Sequence, residues 1–280
     1  MKLDKPYLKL LKKVRTKGTF QQDRTGTGTL SLAFEKVKYD ISEQVPFLTT
    51  KKVWPKGVFE ELCWFLRGED NAKSLEDKGV SIWSEWGDPQ TRSLGPIYGK
   101  QWRNFGGVDQ VLDLIKGLKE TPYSRRHIIS AWNVPELPQM ALPPCHVMTQ
   151  WIVKGRTLHV GMYQRSCDML LGCPWNITCY SSLCYLLCEL TDMTPGTFTH
   201  FIGDAHIYRN HLDQVDLQLS REPRESPTLA INLGQVEADP RRQFFDANEK
   251  LKLILDNIQS DVFELSGYYP DPGIKAPVAI

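Results

Sequence analysis

From Asn176 to Met193 the chain is apolar on nearly every face, with Ile177, Tyr180, Leu183, Cys184, Leu187 and Cys188 along one side. A helix that is apolar all round is stable only when other elements surround it, so a central, buried helix is expected here. No apolar run approaches the length of a membrane span, which leaves a protein core as its surroundings. With 280 residues, 41% of them hydrophobic, the chain can bury a sizeable core.

The rest of the chain reads as layers around that helix. Pro6 to Lys17 places Leu8, Leu11 and Val14 at helical spacing, with Gly18 as the expected C-terminal stop. A polar, glycine-rich turn follows from Asp23 to Thr29, and then a strand alternates Leu30, Leu32, Phe34 before Val37, Tyr39, Ile41. Its apolar phase slips by one near Glu35-Lys36, which predicts a β-bulge. Gly57 to Leu66, ended by Gly68, reads as a mostly apolar helix, and Val111, Leu112, Ile115 and Leu118 mark an amphipathic one. His127 to Trp132 reads as a short buried strand. His146 to Val153 and Thr157 to Arg165 read as a hairpin around Lys154-Gly155. Pro223 to Pro227 marks a turn, and Asn248 to Ser260 a further amphipathic helix. Repeats and low-complexity linkers are absent, so one α+β domain over residues 1–280 is expected.

A formal net charge of +1 gives no global field for a nucleic-acid polymer or an anionic membrane, so any bound anion must be held by local arginines. Seven cysteines without regular spacing suggest neither a disulfide framework nor a zinc site, and point to a reducing compartment. The charged stretch Met1 to Val14 has no secretory character, so a cytoplasmic protein is expected, without metal, membrane or DNA requirement.

Two runs hold polar groups among residues that otherwise read as core: Leu142 to His146, and Tyr163 to Asn176. Cys145 sits in a turn stiffened by Pro143-Pro144. A free thiol, with a pKa of about 8.5, is only a few per cent thiolate at neutral pH. A guanidinium raises that fraction, and Arg165 lies on the neighbouring hairpin strand. The other six cysteines read as buried structural residues, the usual fate of a free cysteine. Cys145-His146 is not a protease-type dyad, because adjacent strand residues point to opposite faces. In the second polar cluster, His206 and Tyr208 share a face if the segment is extended, whereas His206 and His211 are badly spaced for a metal. Of Glu60 and Glu61 in their apolar helix, one is expected to face solvent and the other to turn inward as an acid/base candidate. Asp23 to Thr29 is neither a dinucleotide fingerprint nor a P-loop, yet Arg24 beside its glycines suits a phosphate, as does Arg125-Arg126. Trp83 and Trp86, three apart, align on a helical turn to stack against a flat ligand; ordinary core packing is the plainer reading.

With Thr49-Thr50-Lys51, Glu61 to Gly68, Ile82 to Trp86, Leu94 to Arg103, Ser124 to Asn133 and Gly203 to Gln214 added, the ordered blocks run nearly end to end. The chain resembles the folate-dependent thymidylate synthase family. That resemblance implies a large mixed β-sheet covered by helices, with one sheet face forming a homodimer interface. It implies that Cys145 adds to C6 of dUMP, and that the C5 carbon then takes the one-carbon unit of 5,10-methylenetetrahydrofolate. Glu61, through ordered water, assists that transfer and removal of the C5 proton, with Tyr98 and His146 in support. Arg24, Gln164, Arg165 and Ser166 become substrate ligands, joined by Arg125 and Arg126 from the partner subunit. His206 and Tyr208 become ligands of the deoxyribose. Asp168 is implied both as a substrate ligand and on the pterin, and Lys51, Ile82, Trp83, Trp86, Leu171, Gly172 and Trp175 along the folate. Ala279-Ile280 is implied to close over the cofactor. Asn176 accepts from uracil N3–H while donating to O4, a pattern that cytosine reverses. The cytosine-specific hydroxymethylases of the family carry Asp there, so Asn176 implies dUMP.

Several positions depart from the common family pattern. Val147-Met148-Thr149 replaces an aromatic-rich run, Trp175 stands in place of Phe, Thr178-Cys179 in place of Ala-Ser, and an insertion spans Gly234 to Asn257. Each surrounds the site without removing a functional group. Hydride transfer gives dTMP and dihydrofolate, whereas water gives 5-hydroxymethyl-dUMP and tetrahydrofolate, as in phage hydroxymethylases. Intact Trp83, Trp86 and Ala279-Ile280 favour the first. A non-catalytic nucleotide- or RNA-binding relative is disfavoured by the joint presence of Cys145, Glu61 and Asn176.

Overall fold

The computed structural model describes residues 1–234, 238 and 246–278. Helix α1 (Asp4–Lys17) leads into strands β1 (Thr19–Gln21) and β2 (Thr29–Asp40), followed by α2 (Pro55–Leu66), α3 (Ala72–Glu76), α4 (Tyr98–Arg103) and α5 (Gln110–Glu120). Strands β3 (Ile128–Ser130), β4 (His146–Lys154) and β5 (Thr157–Asp168) come next, then α6 (Gly172–Thr191), β6 (Thr194–Tyr208) and α7 (Leu212–Leu219). Strands β7 (Thr228–Ile231) and β8 (Phe263–Ser266) form a separate pair around α8 (Ala247–Asn257). The main sheet has six strands in the order β1-β2-β6-β5-β4-β3, antiparallel throughout except for the parallel β5–β6 pair. It is the mixed α+β architecture that the resemblance implies.

A parallel pair needs a crossover, and α6 is the crossover between β5 and β6. It is packed against both strands and against α2 and α5, which is why it is apolar all round. Asp192 ends it in the left-handed conformation, at φ 55°. The hairpin of β4 and β5 forms as expected, and Gly155 supplies the positive φ of 62° at its turn.

Three expectations need correction. Helix α1 does stop at Gly18, but that residue is extended, at φ −62° and ψ 138°. A Cβ there would lie 2.5 Å from the Val14 carbonyl oxygen and 3.0 Å from the Ser31 nitrogen, so close approach to β2 selects glycine, not handedness. The apolar slip in β2 is not a bulge: Ala33 pairs with Asp204 and Glu35 with Ile202, leaving the register unchanged across Phe34. Thr29, Ser31, Val37 and Tyr39 are the buried residues of β2 and share one face. Leu30, Leu32 and Phe34 belong to the other face, so the apolar stripe changes sides because both faces of the sheet carry apolar residues. Phe34, at φ 54°, stands 82% exposed, and Tyr163, Phe201 and Ile128 on the same face are exposed as well. Finally, the expected buried strand from His127 to Trp132 is a three-residue edge strand, Ile128–Ser130. Only Ile129 of the three is buried, since an edge strand has the sheet on one side only.

Of the segment from Gly234 to Asn257, residues 235–237 and 239–245 lie outside the described residues. Helix α8 opens on a capping box made by Asp246 and Glu249 and packs against α2 and α5. Arg103 ties it down, pairing with Asp256 at 2.8 Å and with Asp109 at 2.9 Å. No helix among the described residues is long and apolar enough to cross a membrane.

The start of the chain is fixed by a buried carboxylate. Asp4 is fully buried and accepts from both backbone N–H groups and both hydroxyls of Thr49 and Thr50, at 2.8 to 3.1 Å. Asp4→Ala leaves those donors without partners and is expected to lower the unfolding free energy by roughly 3 kcal/mol. Urea unfolding measures it, with Asp4→Asn, which keeps one acceptor, expected to lose less.

Candidate active site

Cys145 immediately precedes β4, in the turn that Pro143-Pro144 stiffens, and is partly buried. Its backbone N–H donates to the Tyr98 hydroxyl at 2.7 Å, so α4 and the turn are joined at this residue. Arg165, on β5, donates from Nε to the Pro144 carbonyl at 2.8 Å and from Nη2 to the Pro143 carbonyl at 2.7 Å. The same Nη2 lies 3.9 Å from Cys145 Sγ. Both close bonds go to carbonyls, which leaves the guanidinium charge unneutralised beside the sulfur.

The net electrostatics differ from the expectation. Burial pushes the Cys145 thiol up, and Arg165 pulls it down by less. Desolvation outweighs the nearby cation, so in the free protein the thiol is the favoured form.

Glu61 turns inward from α2. Its Oε1 accepts from the Trp83 indole at 2.8 Å and its Oε2 from the Trp175 indole at 2.6 Å. Burial raises its pKa to about 7, against the opposing pull of the two indole N–H groups. The expectation that the neighbouring glutamate faces solvent fails. Glu60 is buried too, bonded to Lys78 at 2.8 Å and to the Ser260 hydroxyl at 2.6 Å, because the turn at Ser260–Val262 covers that side of α2. His146 is buried under Tyr98, the rings stacked at 4.0 Å, with its Nδ1 2.5 Å from the Tyr180 hydroxyl. Burial lowers its pKa to about 3, helped by His200, so the imidazole is neutral.

The tryptophans depart from the expected arrangement. Residues 82–86 form turns, not a helix, and the Trp83 and Trp86 rings meet edge to face, 6.0 Å apart at 66°. Trp83 is a core residue that packs on Trp64 and Tyr98 and holds Glu61; Trp86 and Ile82 are only partly buried. The ordinary packing reading therefore holds for Trp83. Gly57 on α2 makes room for Trp175, since a Cβ there would lie 2.6 Å from that ring.

Asn176 lies in the first turn of α6, partly buried. Its Oδ1 accepts from Gln164 Nε2 at 3.1 Å. Asp168, at the end of β5, caps the turn into α6 by accepting from the N–H groups of Leu170 and Leu171 through one oxygen, which leaves the other uncommitted to that turn. Lys51 is buried and bonded to the Leu170 carbonyl, and burial lowers its pKa to about 8. Leu171 and Gly172 complete that turn, both partly exposed. Along β6, Asp204, His206 and Tyr208 share a face, as expected of an extended segment. Asp204 bonds His206 Nδ1 at 2.8 Å and accepts from Ser31 at 2.6 Å. The Tyr208 phenol is pushed up to about 12, mainly by burial, with Asp168, Asp23 and Cys145 acting with it and Arg24 against it. Arg24, Asp168 and Cys145 thus lie within electrostatic reach of this phenol.

Arg125 and Arg126 are not part of that group. Both are exposed beside β3, bonded only through backbone atoms to Gln150 and Ser124. Ala279 and Ile280 lie outside the described residues. The preceding Pro277 carbonyl is held by His211 Nε2 at 2.7 Å. Tyr180 and His200 were not singled out as functional residues by sequence reasoning. The signals were there: Tyr180 is one helical turn after Asn176, and His200 extends the face of Asp204, His206 and Tyr208 back along β6.

A cysteine beside an uncompensated arginine, a buried glutamate and an asparagine at a helix start fit the blocks noted in the sequence. A sequence model of the thymidylate synthase family matches residues 5–280. The chain belongs to the thymidylate synthase family. Members of this family catalyse folate-dependent one-carbon transfer to dUMP and are generally dimeric. Among the described residues, no group of three or more His, Cys, Asp or Glu is placed to hold a metal ion.

The raised pKa of Glu61 has a consequence for stability. A carboxyl near 4.5 when unfolded and about 7 when folded is bound to a proton more tightly in the folded state. Its contribution is fully present below the unfolded pKa and is lost as pH rises through about 7. Wild-type unfolding free energy is expected to fall by roughly 3 kcal/mol between those limits from this group. Glu61→Gln is expected to flatten that slope, as read from urea unfolding across pH.

Proposed function

We propose that this chain is a single catalytic domain that methylates dUMP, giving dTMP and dihydrofolate through a covalent bond from Cys145 to C6 of the base. The observation that carries the reading is Cys145 Sγ beside a guanidinium whose close bonds are to carbonyls only. Arg165 stabilises negative charge on sulfur as the thiol loses its proton, and the position of that charge is held by the two proline carbonyls. In the adduct the Cys145 sulfur supplies the electron pair of the new C–S bond and C5 becomes electron-rich enough to take the one-carbon unit. C5 then loses its proton, and the pair of the C–S bond returns to sulfur last, after the transferred carbon has been reduced.

Glu61, near the midpoint of its titration at neutral pH, suits the giving and taking of protons that this sequence demands. Neutral His146 and Tyr98 hold the floor beneath it without adding a charge. Asn176 reads the uracil edge, and Arg24, Arg165 and Ser166 bind the phosphate. His206 and Tyr208, with Asp204 behind them, bind the sugar hydroxyl.

The residues present fit a folate. Trp86, Trp175, Ile82 and Leu171 offer partly exposed apolar surface, Asp168 has an oxygen not used by its turn, and Lys51 stands at the same turn. Bound there, 5,10-methylenetetrahydrofolate supplies the one-carbon unit and, for dTMP, the hydride. Ala279-Ile280 closes over it, with His211 anchoring the tail just before them. One observation keeps the hydration outcome in view: Trp175 occupies an oxygen of Glu61 that Phe would leave to water.

Turnover with dUMP and 5,10-methylenetetrahydrofolate is expected to raise dihydrofolate absorbance in step with dTMP, and Cys145→Ser to abolish both. Consumption of dUMP without dihydrofolate makes the enzyme a hydroxymethylase instead.

The proposed homodimer uses the sheet face carrying Phe34, Tyr163, Phe201 and Ile128, whose exposed apolar side chains match what a permanent interface buries. Arg125 and Arg126, exposed beside that face, then reach the partner's phosphate site. Phe34→Asp with Phe201→Asp is expected to give a monomer by sedimentation velocity and to reduce turnover at least tenfold, roughly the loss expected when a desolvated charged hydrogen bond goes.

A further inference from the structure

We propose that His200 is a positioning residue for base selection: acting through Gln164, it fixes which end of the Asn176 amide faces the pocket. The inference rests on the reading of Asn176 as the group that tells uracil from cytosine.

The wiring follows from one carbonyl. Gln164 lies on β5, 2% exposed, and its side-chain amide meets three groups: the Ser166 carbonyl oxygen at 2.9 Å, Asn176 at 3.1 Å and His200 Nε2 at 2.9 Å. A carbonyl oxygen only accepts, so the Gln164 atom facing Ser166 must be its NH2 group. The two hydrogens of that group then serve Ser166 and Asn176, and the atom that Asn176 presents to it must be Oδ1. The Asn176 NH2 is thereby turned away from Gln164. The Gln164 oxygen is left for His200, which must donate from Nε2.

His200 is suited to that duty. It is fully buried, stacked with Phe198 at 5.6 Å and 26°, and held on β6 opposite Met162 and Val37. Its Nδ1 is buried without a hydrogen-bond partner, as expected of the nitrogen that carries no proton.

The arrangement makes the unwanted orientation costly. Turning Asn176 over, to the pattern that cytosine needs, sets its NH2 against the Gln164 NH2 and leaves buried donors unpaired. Turning Gln164 over to relieve that contact breaks its bonds to both Ser166 and His200. His200→Phe preserves the stacked, buried ring but removes the donor, so Gln164 loses one of the two bonds that set its orientation.

Calorimetric titration of the intact protein with dUMP and with dCMP gives the ratio of the two affinities. Wild type is expected to prefer dUMP, and His200→Phe to lower that preference roughly tenfold, the effect of one unmade buried hydrogen bond. His200→Gln, which restores a donor, is expected to recover part of it. A merely structural role for His200 would change stability but leave the ratio alone. If wild type prefers neither nucleotide, the reading of Asn176 fails and this inference with it. If wild type prefers dUMP and His200→Phe keeps the same ratio, the inference alone fails. Nitrogen NMR of the wild-type imidazole gives a measurement independent of variant folding: protonation at Nε2 is expected, and protonation at Nδ1 alone overturns the proposal.

Discussion

Strand β5 lies between β4 and β6, and the site exists because it pairs with both. Its antiparallel bond to β4 brings Arg165 against Cys145, with the Arg165 N–H donating to the Cys145 carbonyl at 2.8 Å. Its parallel bond to β6 aligns Gln164 with Ile202 and Asp168 with His206. The parallel pairing in turn demands a crossover, and the crossover is α6, which carries Asn176 in its first turn. One strand therefore sets the distance from Cys145 to Arg165, and from Asn176 to the Asp204–His206 cluster. Loops supply Cys145 itself, Arg24, Lys51 and the tryptophan turn.

The hydrogen bonds that fix the side chains run mostly to backbone carbonyls and to buried neutral groups. Arg165 is held by Pro143 and Pro144, Lys51 by Leu170, and Gln164 by Ser166. A carbonyl orients a cation without cancelling its charge, as a carboxylate would. Such bonds leave the positive charge available to an incoming anion. The surface pairs elsewhere, such as Lys73 with Asp77, are exposed and carry little energy by comparison.

Elements with a strong local signal were legible in the sequence: the hairpin at Lys154-Gly155, the apolar crossover helix, and the helix ended by Gly68. What was not legible depended on what lies on the far side of an element. Leu30, Leu32 and Phe34 alternate correctly, but alternation alone does not say which face is covered, so a change of face read as a bulge. Glu60 reads as a solvent residue until the turn at Ser260 covers it. Gly18 looks like a turn glycine, and its reason is a strand that packs against it from outside the helix. At the site, Cys145, Arg165 and Glu61 were legible by chemistry, because polar groups stood in apolar context. The Tyr180 and His200 contacts were hidden because each side chain has an ordinary place in a helix or strand pattern.

Burial acts on the three central groups in the same direction, toward neutrality. It raises the Cys145 thiol, raises the Glu61 carboxyl and lowers the His146 imidazole. A thiolate, a carboxylate and an imidazolium in one dry pocket would each cost desolvation energy, and their mutual attractions rarely repay it. The free protein lowers that cost by keeping the proton on Cys145, withholding one from His146 and holding Glu61 close to its midpoint, with Arg165 as the standing charge beside the sulfur. A ligand entering the pocket therefore meets one fixed positive charge among groups held close to their neutral forms. That arrangement follows from burial, which acts on each group through the same desolvation cost while the hydrogen bonds fix where each group stands.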